Sequence, residues 1–86
     1  MVDSPLEFPG DHPIRVMGRN TPEFRAQVLA VLAESAACAP LPEVAERVSR
    51  DGGFVSLSVV VRVASRAELD LLYRRLHATG LVLYSL

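Results

Sequence analysis

The chain has no lysine, no tryptophan, a single cysteine and no long apolar run in its 86 residues. With Cys38 alone no intrachain disulfide can form, which fits a reducing compartment. The surrounding "ESAACAP" offers no cation to hold a thiolate, so Cys38 reads as a small hydrophobe at a helix end. His12 and His77 stand far apart without ligand-spaced companions, so neither a metal nor a cofactor is expected. The longest apolar stretch, in "LSVVVRV", is far too short to span a bilayer. The opening "MVDSPLEFPGDHP" has acids and prolines where a signal peptide needs a basic start and an apolar run. The expectation is a cytoplasmic protein with no membrane contact. Excess charge of either sign is also missing. Nine basic residues, all arginine, face ten acidic ones for a net −1, which leaves no surplus for a large basic patch. No nucleic-acid partner is expected.

What is present is enough for one small domain. Half the residues are apolar, sufficient for a single core, but a domain this short gains from a partner chain. Residues 1–11, with two prolines, two aspartates and a glycine, read as an arm with Leu6 and Phe8 as anchors; residues 12–86 read as the domain. "HPIRVMG" alternates as a strand. Thr21 followed by Pro22 starts a helix, because the threonine oxygen accepts an orphan backbone N–H and proline in the first turn loses no bond. Phe24, Val28, Val31, Leu32 and Ser35 share its inner face, and "AESAACA" is expected to carry it to Pro40.

"EVAERVSR" reads as a weaker strand, with Val44 and Val48 opposite Glu43, Arg47 and Ser49. "RDGG" reads as a hairpin turn. In "FVSLSVVVRVA" the residues Val55, Leu57, Val59, Val61 and Val63 point one way, and Phe54, Ser56, Ser58, Val60 and Arg62 the other. Ser65 and Glu68 form a capping box for a second helix, with Leu69, Leu72, Tyr73 and Leu76 inward and Asp70 set to pair with Arg74 outside. Gly80 suits the left-handed position past its end, and "LVLYSL" closes the chain as a strand.

Strand, helix, strand, strand, helix, strand, joined by right-handed crossovers, predicts an α+β, ferredoxin-like βαββαβ two-layer sandwich. Its antiparallel sheet would run 4-1-3-2 with both helices on one face. The second and fourth strands are then the edges. Glu43, Glu46, Arg47 and Arg50 guard the second, whereas the fourth has no charge. Leu81, Val82, Leu83, Tyr84 and Leu86 are therefore the candidate interface, covered by the arm or by a second chain, and a homodimer is expected. The sheet's open face should carry Arg15, Met17, Ser56, Ser58, Val60 and Arg62.

"VMGRNTPEFR" bears the candidate site. Gly18-Arg19 and Phe24-Arg25 resemble the anion cradle of acylphosphatases, which share this fold and length. Glu23 stands inside that turn, and Val48 occupies the place of the family's water-holding asparagine, so an acylphosphatase-type hydrolase is an alternative and no catalytic residue is assigned. "RDGGFVSL" partly resembles the central strand of RNA-recognition motifs through Arg50, Gly53, Phe54 and Val55, which makes an RNA-binding domain a further alternative. Asn20 and Thr21 before Pro22 resemble the effector loop of ACT domains, and with Arg19 they are the candidate ligand-binding residues. Leu6 to Pro9, Val16 to Gly18, Pro22, Ser58-Val59 and Leu72-Tyr73 together resemble the small YbeD-type bacterial proteins from end to end. That resemblance implies an uncharacterised, non-catalytic, ACT-like regulatory or interaction module near lipoate metabolism, binding a partner protein or a small amino-acid-like effector.

Overall fold

The computed structural model describes residues 9–35 and 43–85. The elements are β1 (Gly10–Arg19), α1 (Pro22–Glu34), β2 (Ala45–Val48), β3 (Phe54–Val63), α2 (Arg66–Ala78) and β4 (Tyr84–Ser85). They form one antiparallel sheet in the order β2-β3-β1-β4, the 4-1-3-2 arrangement the sequence predicts.

Alternation along the two long central strands makes this sheet two-sided. Opposite Ile14 lies Val59, and opposite Val16 lies Leu57, so the valine row of β3 and the apolar row of β1 share the inner face. Val55, Leu57, Val59, Val61 and Val63 are all buried there, with Phe24, Val28 and Leu32 of α1 and Leu69, Leu72 and Leu76 of α2. Phe24, 1% exposed, is among the largest of these side chains, and its burial is worth roughly 2–3 kcal/mol.

Both helix starts carry the expected caps. The Phe24 N–H donates to Thr21 Oγ1 at 3.1 Å, and the Glu68 N–H to Ser65 Oγ at 3.2 Å. Glu68 returns its carboxylate one residue further out than a capping box does, accepting from the Ala64 N–H at 3.0 Å. Past α2, Gly80 adopts a φ of 77°, the left-handed position that favours glycine.

Several elements end elsewhere than the sequence predicts. β1 starts at Gly10, because Gly10 and Asp11 pair with Val63 and Arg62. α1 stops at Glu34: Ser35 is extended, and its N–H bonds Leu32 O, a tightened last turn directly after the last buried leucine. Propensity favours continuing through the alanines, but α1 has already spent its apolar face on the sheet. Pro40 and Cys38 lie outside the described residues. Asp70 pairs with Arg66 at 3.9 Å, not with Arg74. β4 is Tyr84–Ser85, preceded by Leu81 packed against the core near Gly18 and Leu83 bonded through its N–H to Met17 O. Leu6, Phe8 and Leu86 also lie outside the described residues.

Candidate functional site

The turn between β1 and α1 is tied to the β2–β3 hairpin. Asn20 donates from its backbone N–H to Gly53 O at 3.1 Å and from Nδ2 to Gly52 O at 2.9 Å. Those carbonyls are held in place from the other side. Ser49 Oγ donates to Asp51 Oδ1 at 2.7 Å, the same oxygen accepts the Gly53 N–H at 2.9 Å, and Ser49 Oγ accepts the Phe54 N–H at 3.0 Å. The Gly53 N–H, then the Ser49 hydroxyl, hold the Asp51 carboxyl below its ordinary range. Thr21 spends its hydroxyl on the helix cap, and the Arg19 guanidinium sits 5.5 Å from the Phe54 ring centroid. The candidate residues Arg19, Asn20 and Thr21 are thus brought together, each with an intramolecular partner.

Gly18 lets this joint close. A Cβ there would lie 2.7 Å from Leu81 O and against the Phe24 ring, so backbone and core meet where a side chain would stand. Arg25, the second arginine of the acylphosphatase-like pattern, faces the β2 edge. It makes a two-pronged pair with Glu46, Nε to Oε1 at 2.7 Å and Nη2 to Oε2 at 2.9 Å, and its Nη1 donates to Thr21 O at 3.2 Å. The hydrogen bond with Arg25 lowers the Glu46 carboxyl and raises the guanidinium against a smaller opposing effect of burial.

The opposite sheet face is open. Register places Arg15, Met17 and Arg19 of β1 beside Ser58, Ser56 and Phe54 of β3, and Ala45 and Arg47 of β2 beside Ser58 and Ser56. Arg47, which the sequence suggests only as an edge guard, therefore joins the face; its phase opposite Val44 and Val48 is the signal that places it there. Two grooves cross this face and share Arg15. One, of about 460 Å³, is lined by Pro13, Arg15, Glu43, Ala45, Ser58 and Val60 among others. The second, of about 330 Å³, is lined chiefly by Arg15, Met17, Arg47, Ser49, Phe54 and Ser56.

The β4 edge is apolar and exposed. Leu83 and Tyr84 are 57% and 56% exposed, and Val82 and Leu81 half-buried. Leu83 N–H donates to Met17 O at 2.8 Å, and Tyr84 stands beside Met17 on the open-face side. The edge is pinned to α2 by a 2.9 Å hydrogen bond between His77 Nε2 and Ser85 Oγ. Tyr73 packs against the core, and burial pushes its phenol up. Among the described residues no cluster of His, Cys, Asp and Glu is placed to hold a metal, and no helix is long and apolar enough to cross a membrane.

This arrangement has close counterparts in sequence and in fold. The profile of a family described as "Protein of unknown function (DUF493)" matches residues 3–86. A UPF0250 protein of Bordetella parapertussis is 38% identical over 80 residues, covering 93% of this chain and 88% of the relative. One from Nitrosomonas europaea is 35% identical over 75 residues, covering 87% and 86%. Among solved structures, protein HP0495 of H. pylori superposes with a TM-score of 0.69 at 17% identity, covering 98% of this chain and 88% of that one. The ACT domain from the GTP pyrophosphokinase of Chlorobium tepidum does so with a TM-score of 0.67 at 14% identity, covering 88% and 94%. The ACT-like ferredoxin fold implied by the YbeD-type resemblance is thereby established.

Proposed function

This chain belongs to the DUF493 family, and from that premise we propose that it is a non-catalytic, cytoplasmic regulatory module that works as a homodimer and acts by binding. The observation that carries the reading is the β4 edge. Its neighbour β1 is paired on both sides, the opposite edge β2 bears Glu46 and Arg47, and the fourth-strand edge presents Leu83 and Tyr84 to solvent with no charge among its described residues. Two copies meeting along Leu81, Val82, Leu83 and Tyr84 would remove that apolar edge from water and continue the sheet.

The joint supports binding over hydrolysis. Hydrolysis of an acyl phosphate needs a free anion cradle and a group to hold the attacking water. Arg25 is committed to Glu46 and Thr21 to its helix, and Val48 stands where the water-holding group is needed. In the proposed dimer Arg19 borders the effector, while Asn20 and Thr21 keep the turn in shape for it.

Solution mass across a dilution series, on the intact chain and on Tyr84→Lys, tests the assembly. The intact chain is expected to run as a dimer and the lysine variant, with a buried charge at the edge, as a folded monomer. An intact chain that stays monomeric at every concentration would overturn the dimer.

A further inference from the structure

The effector class follows from how charge is distributed over the molecule. The chain as a whole has one more acid than base, yet the open sheet face gathers Arg15, Arg19, Arg47 and Arg62. Its strands supply one carboxylate there, Asp11, and that one is bound to Arg62 at 3.1 Å. Among the described residues neither Arg15 nor Arg47 is in an ion pair. Both line the 330 Å³ groove, and no carboxylate lines it with them.

The floor of that groove holds a second, independent sign. Ser56 is 9% exposed, and among the described residues its hydroxyl's one hydrogen bond is a 3.5 Å contact to Arg47 O, at the outer limit for such a bond. A hydroxyl so deeply set is normally well satisfied. Here it shares the groove with Arg15 and Arg47, on a lining completed by Met17, Val48, Ser49, Phe54 and Val55. Cationic forks, a hydroxyl donor and an apolar wall recognise an oxyanion carried on a small apolar body, and the groove is of a size for one such ligand. A zwitterionic amino acid would bring an ammonium for which this lining has no partner. The larger neighbouring groove has one cation, Arg15, set against Glu43, and lacks the doubled positive charge.

We propose that the groove between β1, β3 and β2 binds a small phosphate monoester, its dianion held by Arg15 and Arg47 with Ser56 at the floor and its apolar part against Met17 and Phe54. This deepens the effector reading above and rests on its claim that the protein acts by binding. The ligand is taken as the dianion, so affinity falls below about pH 6, where the dianion takes up a proton and becomes the monoanion.

The test is an amide NMR titration of the full chain with phenyl phosphate, with inorganic phosphate, leucine and a uridine oligonucleotide as parallel probes. Saturable shifts are expected at Met17, Arg47 and Ser56 with phenyl phosphate, weaker ones with inorganic phosphate, and none there with leucine. Arg15→Gln and Arg47→Gln should each weaken binding about ten-fold, while Arg74→Gln on α2 leaves it unchanged and all three keep the folded spectrum. No saturable shift up to about 20 mM ligand, equal shifts with leucine, tighter uptake of the oligonucleotide, or loss in Arg74→Gln would each overturn the proposal. The solution mass separates the two readings. A dimer with a silent groove leaves the assembly standing without this ligand, and a monomer that binds phenyl phosphate leaves the site standing without the dimer.

Discussion

Gly18→Ala is the sharpest probe of how the sheet and the first helix close on each other. The added methyl would sit 2.7 Å from Leu81 O and overlap the Phe24 ring. Neither neighbour can yield cheaply. The carbonyl is backbone leading into β4, and Phe24 is 1% exposed, so its ring is enclosed by the core on every side. Overpacking of this kind typically costs 1–3 kcal/mol; with two rigid neighbours we expect about 2–3 kcal/mol. For a domain of this length that lowers Tm by about 10–20 °C, and the urea midpoint falls while the slope is unchanged.

Two other glycines serve as internal controls. A Cβ on Gly80 meets open space, but its φ of 77° strains any L-residue, so Gly80→Ala should cost about 1 kcal/mol. At Gly53 the nearest atom would be Asp51 Oδ1 at 3.4 Å, and the variant should stay within about 0.5 kcal/mol of the parent. All variants must be compared at one protein concentration, because association would add to apparent stability. A Gly18→Ala protein within about 0.5 kcal/mol of the parent, or more stable than Gly80→Ala, would refute the argument.

The caps and the hairpin carboxylate give further tests. Thr21→Ala and Ser65→Ala should each lower unfolding free energy by about 1 kcal/mol in urea, with Thr21→Ser recovering most of the first loss. Asp51 and Glu46 both titrate below their ordinary range in the folded chain, so on acidification the unfolded state takes up protons first. Their contribution is complete above the ordinary carboxylate range and is lost as pH falls through the lowered folded values. Stability measured from about pH 6 to pH 2 should therefore decline less steeply in Asp51→Asn than in the parent. An equal slope would show that the Ser49 and Gly53 hydrogen bonds do not hold that carboxylate in the charged form.

What the sequence by itself determined lies within a few residues of each position. The alternation of Val55 to Val63 marks a strand with one buried face, Thr21-Pro22 and Ser65 with Glu68 mark two helix starts, and Gly80 marks a helix end. Those signals come from backbone chemistry and from periods of two and about 3.6, so they are readable locally. From them and the handedness of crossovers the strand order follows. Even the open face of Arg15, Met17 and Ser56 is legible, because it is the complement of the buried one.

The tertiary structure decided what depends on partners far along the chain. Asn20 reaches Gly52 across 32 positions, and Arg25 finds Glu46 across 21, so the joint's polar groups are allotted by the packing of α1 and the hairpin against one sheet. The length of α1 was set the same way: alanines favour a longer helix by a few tenths of a kcal/mol each, but after Leu32 no apolar residue of α1 remains buried to hold another turn. Arg47 joined Arg15 on the groove only because the register of β2 on β3 sets it opposite Ser56 on the open face. Register is a property of two strands, and a one-residue slip would have turned Arg47 to the other face of the sheet.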